Sequence, residues 1–109
     1  MIRSLAIAAA ETGVAVEQVT VWVERRWVRP VRSGEELSFD DADLARLRMI
    51  VDFHRDLEID DEAMPVVLDL IDQLHAARVQ LRRTLQAIAE LPEAAQSAVM
   101  KRITGKADQ

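Results

Sequence analysis

The chain begins with two short apolar segments separated by a glycine turn. Ser4 precedes the first segment, Leu5–Thr12, and Gly13 follows it, so we expect a first helix that is capped at both ends. The second segment, Val16–Glu24, is ambiguous, because its β-branched residues favour a strand while its valines also fit a helical stripe. The short turn between the segments matches helix-turn-helix spacing, so we interpret the second segment as a helix.

The next part of the sequence predicts a small hairpin and a third helix. Two extended runs, residues 28–32 and 36–39, are joined by a turn that contains a glycine, which is typical of a hairpin or wing. Asp40 then precedes apolar residues at helical spacing, and an aspartate in that position commonly caps a helix. We expect this third helix to end near Leu57.

A long helix is predicted for residues 66–90. Asp60 is a candidate cap before it, and Pro65 should either kink the helix or restart it. Apolar residues along the helix alternate four and three apart, which is a heptad seam broken once by Arg78. A body of this size would not readily cover so long a seam, so we expect a homodimer formed through its far half. The residues assigned to dimerisation are Leu74, Leu81, Leu85 and Ile88.

After Pro92, a last short helix is expected over residues 94–103, before a polar tail. Composition then limits the chemistry that these elements can carry. Cysteine is absent from the 109 residues, which excludes disulfides and thiolate metal sites. His54 and His75 are too isolated to form a ligand set, so we expect no metal and no cofactor. No motif typical of an active site occurs, and we do not expect an enzyme. No apolar run is long enough for a membrane span, and a cytoplasmic location is expected.

Charge is distributed unevenly along the sequence. The formal net charge is −5, but residues 33–72 hold thirteen acidic side chains against three basic ones. A negative field of this strength repels nucleic acid and attracts basic partners. The flanking segments are mildly basic, and the bases before the acidic block are Arg25, Arg26, Arg29 and Arg32.

The order of elements resembles the MerR-type winged helix-turn-helix. The resemblance rests on residues 13–16, Trp22, the pair Arg29-Pro30 and residues 39–47. It implies a mainly α fold with a small β-hairpin wing and a long C-terminal helix. The implied boundaries are a winged helix-turn-helix domain over residues 1–72, the long and terminal helices over 66–104, and a tail over 105–109. In MerR-type regulators the second helix usually begins with serine and presents arginines to DNA, whereas the corresponding positions here are Ala15, Glu17 and Thr20.

Residues 56–60 and 65–74, followed by a plain amphipathic helix, are similar to one MerR-like branch, the chaperone-modulator CbpM family. The resemblance implies binding to the J-domain of a DnaJ-type, CbpA-like co-chaperone, which limits its engagement with a DnaK-type chaperone. J-domains resemble one another in carrying a basic second helix, so an acidic face is the expected contact. Its expected residues are Asp52, Asp56, Glu58, Asp61, Glu62, Asp69 and Asp72. The alternative is a MerR-type transcription regulator that uses the arginines before the acidic block to bind DNA.

Overall fold

The computed structural model describes residues 1–105, in two compact units, Met1–Leu68 and the described residues from Asp69 onward. The predicted tail falls almost entirely on residues 106–109, which lie outside the described residues. The described part contains five helices and a two-stranded antiparallel hairpin. The elements are α1 (Leu5–Thr12), α2 (Val16–Glu24), β1 (Val31–Ser33), β2 (Glu36–Ser38), α3 (Asp41–Arg55), α4 (Met64–Ala89) and α5 (Glu93–Thr104).

The first two helices form the predicted helix-turn-helix. The Ser4 hydroxyl accepts a hydrogen bond from the backbone N–H of Ile7 at 3.3 Å, and Gly13 ends α1 with a φ of +70°. A left-handed φ is strained for residues with a Cβ atom, so a glycine at this position makes the tight turn possible. The ambiguous second segment is helical, and its Val19 and Trp22 are buried on one side. Burial of that helical stripe therefore outweighs the β preference of its valines.

The hairpin is shorter than the predicted runs. Ser33 pairs with Glu36 around a two-residue turn, in which Gly34 has a φ of +64°. Arg3 and Phe39 exchange two backbone hydrogen bonds, each 2.8 Å long, so the segment before α1 joins the hairpin. Val28, which was predicted to lie in the first strand, is instead fully buried before it.

Asp40 caps α3 through a reciprocal capping box. Its carboxylate accepts the N–H of Asp43 at 2.8 Å, and the Asp43 carboxylate accepts the N–H of Asp40 at 3.0 Å. The helix ends at Arg55, slightly before the predicted end. Glu58 then takes a φ of +53°, which turns the chain towards the next helix.

A short turn over residues 61–63 leads into α4. The Asp60 carboxylate accepts the N–H of Ala63 at 2.8 Å, and α4 begins at Met64. Of the two outcomes predicted for Pro65, the structure therefore has a fresh helix start rather than a kink. A proline suits this position, because the first N–H groups of a helix have no partner within the helix.

The hydrophobic core lies in the first unit. Its largest fully buried side chains belong to the second helix, the segments that flank the hairpin, the third helix and the start of the fourth. The buried core residues are Ala8, Ala9, Val19, Trp22, Trp27, Val28, Phe39, Leu44, Leu47, Ile50, Val51, Met64 and Leu68. This core holds α2, the hairpin and the end of α3 in place. The candidate binding residues of the first unit lie on or next to these elements.

The second unit contains the rest of α4 and the whole of α5. Ile88 is 9% exposed, and its carbonyl accepts a hydrogen bond from the Gln96 side chain at 3.2 Å. Within the described part of α5 no residue is fully buried. None of the helices in residues 1–105 combines the length and the apolar character that a membrane crossing requires.

Candidate protein-binding surface

Acidic side chains of the first unit surround the corner between α3 and α4. Asp52 lies in the last turn of α3, Asp56 caps its C-terminal end, Glu58 occupies the left-handed corner, and Glu62 lies in the turn before α4. All four are exposed, and none forms an ion pair among the residues that the structure describes. We call these four residues the acidic corner, and their charge is available to a basic partner.

Asp61 differs from these four acids because it is already paired. One carboxylate oxygen accepts a hydrogen bond from Arg25 at 3.1 Å, and the other lies 3.3 Å from the His54 imidazole. The Arg25 guanidinium, with a smaller contribution from His54, lowers the pKa of the Asp61 carboxyl below its usual value. Asp61 thus connects the turn before α4 to the end of α2, and part of its charge is neutralised within the chain.

An aromatic pair lies beneath this ion pair. The Arg25 guanidinium is 5.3 Å from the centre of the Trp27 ring, a distance that allows a cation–π interaction. Trp27 in turn stacks on Trp22, with ring centres 6.3 Å apart. Both tryptophans are buried, so they support the end of α2 as part of the core rather than as exposed anchors for a partner.

We expect Asp61→Asn to lower the free energy of unfolding by about 0.2–1 kcal/mol at neutral pH, since the pair is half exposed and screened by solvent. A lowered folded-state pKa stabilises the fold above the ordinary carboxyl pKa of about 3.9. That contribution is lost as the pH falls through the folded-state pKa. Urea unfolding of wild type and variant should therefore converge as the pH falls below the ordinary carboxyl pKa and the Asp61 carboxyl becomes protonated. Glu62→Gln, which removes an unpaired charge nearby, is the control. Its free energy of unfolding should show no pH-dependent difference of this kind from the wild type.

The other predicted partner-binding acids, Asp69 and Asp72, lie on α4 in the second unit, and both are exposed. The Asp69 carboxylate accepts a hydrogen bond from the Gln73 amide at 2.7 Å. The four residues assigned to dimerisation also lie on α4. Leu74, Leu81 and Leu85 are exposed, by 46%, 58% and 44%, whereas Ile88 is buried.

Basic side chains near α2 divide into two groups. Arg25 pairs with Asp61, and Arg55 donates to the carbonyl of Gly13 at 2.9 Å, so both hold elements of the first unit together. The other three arginines of the segment before the acidic block are exposed and form no ion pair with any described residue, namely Arg26, Arg29 and Arg32. On α2 itself, the exposed charged side chains are those of Glu17 and Glu24. The outward surface of this helix is therefore acidic.

Sequence reasoning missed the ion pairs that assemble the first unit. Arg25 pairs with Asp61, and Arg3 pairs with both Glu11 and Asp41. Opposite charge was the only available signal, and many pairings were compatible with it. The Arg3 guanidinium lowers the pKa of the Asp41 carboxyl below its usual value. Among residues 1–105, no cluster of histidine and carboxylate side chains has a metal-binding arrangement.

Comparison with known families agrees with this architecture. Residues 6–86, from α1 through most of α4, match the family described as "MerR HTH family regulatory protein". The comparison with curated proteins found no match. The family match covers well over half of the chain and includes both helices of the helix-turn-helix, the hairpin and α3. The chain therefore belongs to the MerR family of helix-turn-helix regulatory proteins.

Proposed function

We propose that this protein acts by binding, not by catalysis, and that its partner is the J-domain of a DnaJ-type, CbpA-like co-chaperone. The observation that carries the proposal is the set of exposed, unpaired acids at the corner between α3 and α4, chiefly Asp56, Glu58 and Glu62. The resemblance of residues 56–60 and 65–74 to the CbpM family supports the same partner. Occupation of the J-domain would then limit its engagement with a DnaK-type chaperone.

Charge complementarity is the physical basis of the proposal. A basic helix on the partner is attracted by the acidic corner, which raises the association rate and disfavours acidic competitors. Leu57, which is 64% exposed, lies between Asp56 and Glu58 and offers an apolar contact within the charged surface. Such a contact, once desolvated, would slow dissociation.

We expect Asp56→Lys and Glu62→Lys each to slow association with the J-domain by roughly three- to tenfold, because each reverses one charge of the attracting field. Dissociation should change less. The affinity of the wild type should also fall as the salt concentration rises to about 0.5 M, where charges are screened beyond a few ångströms. Stopped-flow fluorescence measures the rates, and calorimetry measures the affinity.

Glu90→Lys is the matched control, since it makes the same change in net charge at an exposed residue outside the acidic corner. This variant should associate like the wild type at high salt and nearly so at low salt. Unchanged rates for both corner variants, together with an affinity that is insensitive to salt, would show that the acidic corner does not bind the J-domain.

A MerR-type transcription regulator is the second candidate. The family match and the exposed, unpaired Arg29 and Arg32 favour it. Against it, Glu17 and Glu24 on the exposed side of α2 place negative charge where phosphates would approach. Fluorescence anisotropy with random and genomic duplexes at low salt distinguishes the two candidates. Sequence-specific binding with a submicromolar Kd would favour the regulator.

A further inference from the structure

A groove of about 530 Å³ opens on the first unit between the N-terminal ends of α1 and α2 and the strand β2. Its apolar lining comes from Ile2, Leu5, Ala6, Val16 and Leu37. Neither the acidic corner nor the α4 seam includes any of these residues. The groove is therefore a separate feature of the surface.

Two of the apolar side chains at this groove are open to solvent. Ile2 is 63% exposed and Val16 is 39% exposed, although both could have been polar without disturbing the core. Val16 is the first residue of α2, and Ile2 immediately precedes the residue that pairs with Phe39. Backbone hydrogen bonds hold the residues next to them, because Arg3 exchanges two with Phe39 and the Ala15 carbonyl accepts the N–H of Val19, so the groove is preformed. Preformed concave apolar surfaces of this kind are typical of binding sites.

The rim of the groove carries uncompensated negative charge. Glu35 lines it from the hairpin turn and Glu36 from β2, and Glu17 follows Val16 on α2. None of these three exposed acids forms an ion pair with a described residue. Arg3 is the basic residue of the lining, and its guanidinium forms ion pairs with Glu11 and Asp41.

Arg32, opposite Leu37 on β1, brings one positive charge to the hairpin beside these acids. Three acids and one uncommitted base leave the margin of the groove net negative. An anionic ligand, whether a nucleic acid or an anionic lipid surface, is disfavoured there.

We propose that this groove binds the apolar face of a basic amphipathic helix from a protein partner. An amphipathic helix presents apolar side chains along one stripe and charged side chains on either side of it. The groove offers the complementary arrangement, because Glu35 and Glu36 of the hairpin border its apolar floor and Glu17 follows the lining residue Val16. The inference goes beyond the proposed function, since it does not depend on the identity of the partner.

The test uses the full chain and two synthetic helical peptides of about 18 residues, a length that gives five helical turns. One peptide has leucine on one face and lysine on the other, and the second has glutamate in place of lysine. Amide shifts in two-dimensional NMR should change around Ile2, Val16 and Leu37 with the lysine peptide. The glutamate peptide should bind at least about tenfold more weakly. Equal binding of both peptides, or shifts confined to other surfaces, would overturn the proposal.

Groove variants provide the second arm of the experiment. Ile2→Ser and Val16→Ser should each weaken binding of the lysine peptide several-fold, whereas Val66→Ser, at another exposed valine of the first unit, should not. Ile2 precedes α1 and is mostly exposed, so its variant keeps the test valid even if the Val16 variant folds poorly. Shift changes at the groove on dilution of the protein alone would indicate a second copy as the occupant. The same shifts with duplex DNA at moderate salt would indicate DNA, and either result would contradict the proposal.

The two proposals can fail separately. If the groove does not bind the lysine peptide while Asp56→Lys still slows association with the J-domain, only the groove proposal is wrong. If the peptide binds as expected and the J-domain does not bind at all, the groove proposal stands and the partner must be sought elsewhere.

Discussion

Replacing Phe39 by alanine should lower the free energy of unfolding of the first unit by about 3–5 kcal/mol, the largest effect on stability that we expect from a single truncation. Phe39 is fully buried, and its backbone also holds Arg3 through two hydrogen bonds. The lost side chain leaves a cavity between the hairpin and the helices. Since small domains are stable by only about 5–15 kcal/mol, this loss removes between about a fifth and nearly all of the free energy of unfolding.

Urea unfolding followed by tryptophan fluorescence measures this effect. Both tryptophans of the chain, Trp22 and Trp27, are buried in the first unit, so the signal reports on its core. Leu57→Ala is the control, because its side chain is 64% exposed and its loss should cost less than about 0.5 kcal/mol. If Phe39→Ala lowers the free energy of unfolding by less than about 1 kcal/mol, the packing described around the hairpin is contradicted.

Leu81→Asp and Leu85→Asp should each raise the dissociation constant of a homodimer by about a hundredfold or more. We propose this dimer because the α4 seam exposes Leu74, Leu81 and Leu85 among the described residues. A leucine buried at an interface contributes about 1.5–3 kcal/mol, and a carboxylate in its place adds a desolvation cost. Every 1.4 kcal/mol corresponds to about a factor of ten in affinity.

Analytical ultracentrifugation over a range of concentrations measures the change. Gln80→Asp adds the same charge one position before Leu81, off the seam, and should leave the association intact. The tryptophan fluorescence of the first unit should be unchanged in all three variants, since both tryptophans lie within Met1–Leu68. A wild-type protein that sediments as a monomer at high concentration would exclude the dimer.

Local signals in the sequence determined most of the secondary structure. Ser4, Gly13 and Asp40 mark helix ends, and each acts through its own side chain or backbone conformation within a few residues. The heptad spacing of α4 is likewise a local property, because a helix presents residues three and four positions apart on one face. These features need no knowledge of the rest of the chain, and the structure has all of them.

Only the tertiary structure decided the state of the second segment and the availability of individual charges. The valines of α2 are compatible with a strand, and the helix wins because Val19 and Trp22 then reach the core together. Among the acids, Asp61 pairs with Arg25 while Glu58 and Glu62 do not, although all three look alike in the sequence. The groove at Ile2 and Val16 also arises from elements that only folding brings together. Contacts of this kind depend on three-dimensional proximity, which neither spacing nor composition specifies.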